Sequence, residues 1–228
     1  MGLFVIGDPH LSLGTDKPMD IFSGWSNYVD RLQKHWRALV SEEDTVVVAG
    51  DISWGMTLQQ AKADFAFIHS LPGRKLLLKG NHDYWWTTKA KMDQFFAENG
   101  LSSLFILHNN AYESPPYVLC GTRGWINENG EPTDRKVLLR EAGRLEASLQ
   151  AGAKTGLEPI VFLHYPPIFQ DDVNRPILDV LTRFSVKRCY YGHIHGKAAA
   201  KAVNGLQDGI EYRLIACDFT DFTPVPIV

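Results

Sequence analysis

Five short apolar runs in this chain each stop at a polar side chain, and that repetition constrains the fold more than any other feature. Four of the runs close on glycine followed at once by Asp, Asn or His, at Gly7-Asp8, Gly50-Asp51, Gly80-Asn81 and Gly192-His193. The fifth, Ile160–Leu163, runs directly into His164. Glycine at a strand end permits a sharp turn with positive φ and a close backbone approach. In open parallel sheets, ligands sit in the crevice beyond the carboxyl ends of the strands. Five strand ends carrying Asp, Asp, Asn, His and His therefore point to one place.

The segments between these runs have helical period. Trp25, Tyr28, Leu32, Trp36 and Leu39 recur at spacings of three and four, as do Leu58, Ala61, Phe65 and Ile68, and later Leu138, Ala142, Leu145 and Leu149. The runs Leu3–Ile6, Val46–Ala49, Leu76–Leu78, Ile160–Leu163 and Cys189–Tyr191 predict short buried strands. Strand–helix alternation implies an α/β fold with parallel strands and right-handed crossovers. Residues 104–122 and 199–217 contain strand-like pieces without convincing helices, which predicts antiparallel strands there. Stretches 11–24, 84–88, 123–134 and 165–176 are expected as loops. With no linker or repeat in 228 residues, the expectation is a single domain over 1–228.

Composition narrows the partners. A net charge of −3, with no block of like charges, makes long nucleic acid an unlikely ligand. The three cysteines, Cys120, Cys189 and Cys217, lie in apolar stretches and predict buried free thiols, which suits a cytoplasmic protein. The N-terminal apolar run stops at Asp8, too soon for a secretion signal, and no stretch is long enough to span a membrane.

Each strand end brings further ligand types. His10 follows Asp8, and His195 follows His193, at i+2, so each pair can aim at one centre from extended backbone. The candidate metal ligands are Asp8, His10, Asp51, Asn81, His164, His193 and His195. Imidazole and oxygen donors without thiolate suit Mn, Fe, Zn or Ni. Seven ligands exceed the needs of one open ion and fit two that share a carboxylate. Metals held ~3.5–4 Å apart can clamp a phosphoryl oxygen and bring a bound water to a pKa of roughly 7, so that the resulting hydroxide attacks phosphorus.

The ordered set D-x-H, G-D, G-N-H-D, H, G-H-x-H, from Gly7 to Gly196, resembles the calcineurin-like metallophosphoesterase superfamily. The resemblance implies a metallophosphoesterase-type αββα sandwich of mixed sheets flanked by helices, with a dimetal site at the strand C-terminal ends. It implies one ion on Asp8, His10 and His195, the other on Asn81, His164 and His193, and Asp51 as the bridge. It also implies that His82 stands by the leaving-group oxygen as acid or charge stabiliser, with Asp83 orienting it and favouring its protonated form. The flanking Gly50-Asp51-Ile52-Ser53-Trp54, Asp83-Tyr84-Trp85-Trp86, Gly121-Thr122-Arg123-Gly124-Trp125 and His164-Tyr165-Pro166-Pro167 are similar to a bacterial branch of predicted phosphohydrolases.

One departure matters. The superfamily's protein phosphatases hold phosphate with arginines after the bridging Asp and beside the His-Asp segment. Here those stretches read Ile52-Ser53-Trp54-Gly55 and Tyr84-Trp85-Trp86, which argues against a phosphoprotein substrate. Arg123 is the candidate phosphate contact, its alternative being a loop salt bridge. Trp85 or Trp86 is the candidate wall for a base or aryl group, and Tyr165 either reaches the pocket or packs beneath it. Pro166-Pro167 is expected to fix its loop, with a cis bond as one way of doing so. The Trp25–Trp36 stripe is expected in the core. His35, His69 and His108 are expected at surface or satisfied core positions. The expected activity is hydrolysis of a small phosphomonoester or phosphodiester, such as a nucleotide or aryl phosphate. A non-catalytic scaffold on the same fold is the alternative. Signatures of metallo-amidases, serine hydrolases and P-loop enzymes are absent.

Overall fold

The computed structural model describes residues 1–125 and 135–227. In chain order its strands are β1 (Leu3–Ile6), β2 (Thr45–Ala49), β3 (Arg74–Leu78), β4 (Leu104–Ile106), β5 (Ala111–Ser114), β6 (Tyr117–Thr122) and β7 (Glu158–Leu163). They continue as β8 (Ile168–Phe169), β9 (Asp172–Val173), β10 (Arg188–Tyr191), β11 (Gly205–Gln207), β12 (Ile210–Leu214) and β13 (Val225–Pro226). The helices are α1 (Tyr28–Leu39), α2 (Lys62–Ser70), α3 (Lys89–Glu98), α4 (Arg135–Ala153) and α5 (Arg175–Arg183).

The strands form a five-stranded sheet, β13-β1-β2-β3-β4, a six-stranded sheet, β11-β12-β10-β7-β6-β5, and a β8-β9 ribbon. Strand β2 shows why the sequence runs are unbroken rather than alternating. Val46 and Val48 face α1, α2 and α3, whereas Val47 and Ala49 face the second sheet, where they meet Ile160 and Phe162. With both faces covered, a β-branched run is the sequence that buries best. Helices α4 and α5 cover the far side of the second sheet through Leu145, Leu149, Ile177 and Leu181. The result is four layers, helix–sheet–sheet–helix, as the resemblance implied.

Strands β1 to β4 are parallel, as are β6, β7, β10 and β12. The expectation of antiparallel strands in 104–122 and 199–217 needs correction. The hairpins β5-β6 and β11-β12 are antiparallel, but β4 pairs parallel with β3, and β6 and β12 join their sheet in parallel. Within the two large sheets antiparallel pairing is thus confined to the edges, β13 included, and the separate β8-β9 ribbon is antiparallel too. Two helices had no predicted counterpart. Thr88 caps α3 by accepting from the Lys91 amide, and Asn174 caps α5 ahead of Pro176. The expected loop 165–176 contains the β8-β9 ribbon, and the expected loop 123–134 lies outside the described residues from 126 onward. The cis bond is at Pro115-Pro116 rather than Pro166-Pro167.

The sheets are stitched together at the end that matters. Gly7, just past β1, donates its amide to Ile215 just past β12 (2.7 Å) and accepts from Cys217 (2.9 Å). Asp8 donates to the Gly50 carbonyl, and Gly192 to that of His164. All five predicted strand ends therefore meet along one crevice.

Candidate metal centre

Positive φ falls mainly on the polar residues rather than on the glycines before them. Asp8, His10, Asp51 and His193 have φ of 58°, 45°, 49° and 72°, whereas among the four glycines only Gly50 is positive, at 88°. Non-glycine residues in this region are strained and persist where the surroundings over-determine them. The other glycines serve by having no side chain. A Cβ on Gly192 would lie 2.2 Å from Asp8 Oδ2, and one on Gly80 would lie 2.1 Å from Asp51 Oδ1. Each glycine vacates the space its neighbour's carboxylate needs.

Two groups of donor atoms converge, Asp8–His10–His195 and Asp51–His164–His193, the atoms of each within 4.8 Å of one another. In the first, His10 Nε2 and His195 Nε2 stand 3.3 Å apart, and His195 Nε2 is 3.6 Å from Asp8 Oδ1. In the second, Asn81 Oδ1 lies 2.6 Å from His164 Nε2 and 3.0 Å from His193 Nδ1. Asp51 Oδ2 stands between them, 3.7 Å from His10 Nε2 and 3.5 Å from His164 Nε2. Its other oxygen accepts the His82 amide at 2.7 Å, which aims Oδ2 into the gap. Imidazole nitrogens facing each other and carboxylate oxygens across a short gap suit cations. All seven sequence candidates are thus brought together.

The supporting bonds set which imidazole nitrogen is free. His164 donates Nδ1–H to the Ala49 carbonyl (3.1 Å), leaving the Nε2 lone pair toward Asn81 and Asp51. His195 Nδ1 is bonded to the Asp218 carboxylate at 2.8 Å, which also accepts the Gly196 amide. Sequence reasoning missed Asp218, although it closes the apolar run Leu214–Cys217 as the other site residues close theirs. Burial pushes the His164 and His193 imidazoles down to about 3, so both are neutral. Burial opposes charge on His195 too, but its bonds to Asp218 and Asp8 outweigh this and lift it to about 10. Burial, with Asp8 and Asp83 alongside, pushes the Asp51 carboxyl well above its usual range.

His82 is half-buried beside this centre, its Nδ1 3.4 Å from the Tyr84 hydroxyl. Asp83 does not bond the His82 ring as expected. Its carboxylate accepts from the amides of Ile52, Ser53 and Gly80 and from the Trp85 indole, bracing the Asp51 turn against the Gly80 turn. Burial raises Asp83 to about 6.

The candidate substrate contacts fare differently. Trp85 is buried against Phe65, their ring centroids 4.7 Å apart, and Trp86 packs on His108; neither lines the cleft beside the metal ligands. Tyr165 is buried with its ring 4.2 Å from that of His193, packed beneath the site. Arg123 Nη2 lies 3.5 Å from the buried Glu141, which Arg144 and Thr122 also engage, and its Nε has no hydrogen-bond partner among the described residues. Of the remaining histidines, His35 and His69 have local partners in Asp221 and Ser103, and burial keeps His108 below its usual value.

A cleft of about 410 Å³ opens on the metal ligands and is lined by His10, Met19, Phe22, Trp25, Trp54 and His82 among others. Trp54 lies in the stretch Ile52–Gly55, where an arginine was sought. Its ring stacks on His10 (5.1 Å, 22°) and leans on His82 (4.5 Å). Trp25 is buried as expected for its stripe, yet it also forms a wall of the cleft.

The family model for calcineurin-like phosphoesterases matches residues 1–197. The chain belongs to that family. Among solved structures, the phosphopantetheinyl hydrolase of Mycobacterium tuberculosis shares this phosphoesterase's fold, with a TM-score of 0.56 at 13% identity over 100% of this chain and 95% of that one. A protein of unknown function from Aquifex aeolicus gives a TM-score of 0.54 at 14% identity over 99% and 95%. The Gene 66 protein of Mycobacterium phage L5 is 48% identical over 52 residues, 23% of this chain and 25% of that protein. The match thus spans about a quarter of the phage protein's length. Among the described residues, no helix is long and apolar enough to cross a membrane.

Proposed function

We propose that this phosphoesterase hydrolyses a small phosphomonoester or phosphodiester at two transition-metal ions. The observation that carries the reading is Asp51 Oδ2 standing between His10 Nε2 and His164 Nε2, 3.7 and 3.5 Å away. Asp8, His10 and His195 would hold one ion, Asn81, His164 and His193 the other, with Asp51 shared. Mn, Fe, Zn or Ni suits this mixture of imidazole and oxygen. When bound, such a pair supplies a water that ionises near neutral pH and positive charge for the phosphoryl oxygens.

The chain's own residues do the rest. His82 stands at the mouth of the centre, on the cleft side, and would hold a proton for the departing oxygen. Asp83 acts through the backbone, fixing the two turns that carry Asp51 and His82. Asp218 holds His195 by Nδ1 and keeps Nε2 facing Asp8 and His10, where it would be free to hold an ion, as carboxylates behind metal-bound imidazoles do. A cytoplasmic setting suits the three free, buried thiols, and residues 1–228 would act as one catalytic unit.

The test is a panel of mono- and diesters assayed after reconstitution with Mn, Fe, Zn and Ni. Metal-dependent release of phosphate or alcohol is expected. Full metal loading without turnover on any ester would favour the scaffold reading instead.

A further inference from the structure

Beside the metal ligands the cleft is walled by Met19, Phe22, Trp25 and Trp54, with Ser23 and Asp218 in its polar lining. Trp25 is held rigidly, edge-on to Tyr28 (5.4 Å) and Phe222 (5.0 Å). The Trp54 indole N–H is spent on Met19 Sδ at 3.3 Å, so this ring meets the cleft as an apolar surface. Phe22 stands 50% exposed at the mouth. Of the polar lining, Asp218 is already bonded to His195 and to the Gly196 amide. The Lys17 ammonium lies over the Trp54 ring, 4.3 Å from its centroid, so the ring meets the cleft by its edge.

Position says which part of a substrate enters. Trp54 touches both His10, a candidate ligand, and His82, the group placed to protonate the departing oxygen. An alcohol released past His82 therefore departs along Trp54 into the cleft. We propose that the cleft is the leaving-group subsite, and that the group it takes carries a flat aromatic ring, held between Trp54, Trp25, Phe22 and Met19. This rests on the phosphoesterase reading above and names its substrate class. Preformed rings favour a rigid flat group over a flexible chain because less conformational freedom is lost. The ring can belong to an aryl ester or to the base of a nucleotide, which share this chemistry.

The test uses the full chain reconstituted with Mn. Phenyl and 2-naphthyl phosphate have similar leaving groups, so their ratio of kcat/KM reads the cleft rather than the chemistry. The expected preference for naphthyl is roughly three- to ten-fold, and Phe22→Ser, at an exposed position, should bring the ratio toward one. Adenosine 5′-monophosphate against ribose 5-phosphate is the nucleotide arm. A preference there as well assigns the ring to a nucleobase, and a preference confined to the aryl pair assigns it to an aryl ester. Calorimetric binding of 2-naphthylmethyl phosphonate against cyclohexylmethyl phosphonate reads the cleft without turnover. Hydrolysis of phenyl phosphate with no aromatic preference, or equal affinity for the two phosphonates, would overturn the inference and leave the phosphoesterase reading standing. Absence of all turnover would overturn that reading, and the phosphonate pair would still decide whether the cleft selects flat rings.

Discussion

The two sheets bring unlike chemistry to one crevice. Of the candidate ligands, the β1-β2-β3 side presents Asp8, Asp51 and Asn81 with one imidazole, His10, whereas the β7-β10 side presents three imidazoles, His164, His193 and His195. Each side is costly by itself. On the first, burial beside Asp8 and Asp83 pushes the Asp51 carboxyl well above its usual range. On the second, burial drives His164 and His193 down to about 3, leaving neutral rings gathered around Asn81 Oδ1. A pair of cations between the sheets satisfies both at once. Metal binding and the docking of the sheets are therefore expected to be one linked event.

The largest expected break in that comparison is at the shared carboxylate. Asp51→Asn should lower turnover by at least about a thousand-fold and bring metal content below two equivalents, read by steady-state kinetics and elemental analysis. Normal turnover would mean that the two sides do not share an ion pair. Next is His82→Asn, which should cost roughly 10²–10⁴-fold in kcat while both ions stay bound. Loss of metal in that variant would make His82 a ligand. Asp218→Asn tests whether the imidazole side needs its own acid. It should weaken one of the two metal equivalents by roughly 10–100-fold in a competitive chelator titration, leaving the other unchanged.

The smallest effect lies outside the crevice, on the acid-rich side. Lys75 is fully buried on β3 and donates to the His69 and Leu71 carbonyls at the end of α2, and burial lowers its ammonium to about 8. Between about pH 8 and its ordinary 10.5, the unfolded chain holds the proton that the folded chain has released. Stability therefore rises with pH across that window. Urea denaturation at pH 7.5 and 9.5 should show wild type gaining roughly 1–2 kcal/mol relative to Lys75→Met. An equal pH response in both proteins would place the Lys75 titration outside the window.

Five of the seven candidate ligands were legible because each closes an apolar run, and the runs close at one end of two sheets; His10 and His195 were legible by their i+2 spacing. What escaped was information that is not periodic. Asp218 ends a run without a glycine and donates nothing to an ion, so only its contact with His195 reveals it. Helices α3 and α5 were missed as stripes, although Thr88 and Asn174-Arg175-Pro176 carry capping signals. The glycines were correctly marked as special, but their main service is vacant space for the Asp8 and Asp51 carboxylates. Choosing which tryptophan walls the cleft required tertiary packing. Trp85 turns inward to Phe65 and Asp83, while Trp54, in the segment after Asp51, turns to His10 and His82. Arg123 pairs with Glu141, 18 positions further along the chain, which its own segment does not announce.

The most direct measurement is the metal stoichiometry of the reconstituted chain after desalting, taken beside its activity on a simple phosphoester. The shared-carboxylate arrangement predicts two equivalents per chain, with turnover rising only as the second is filled. One equivalent at full activity, or two equivalents bound just as tightly by Asp51→Asn, would contradict it.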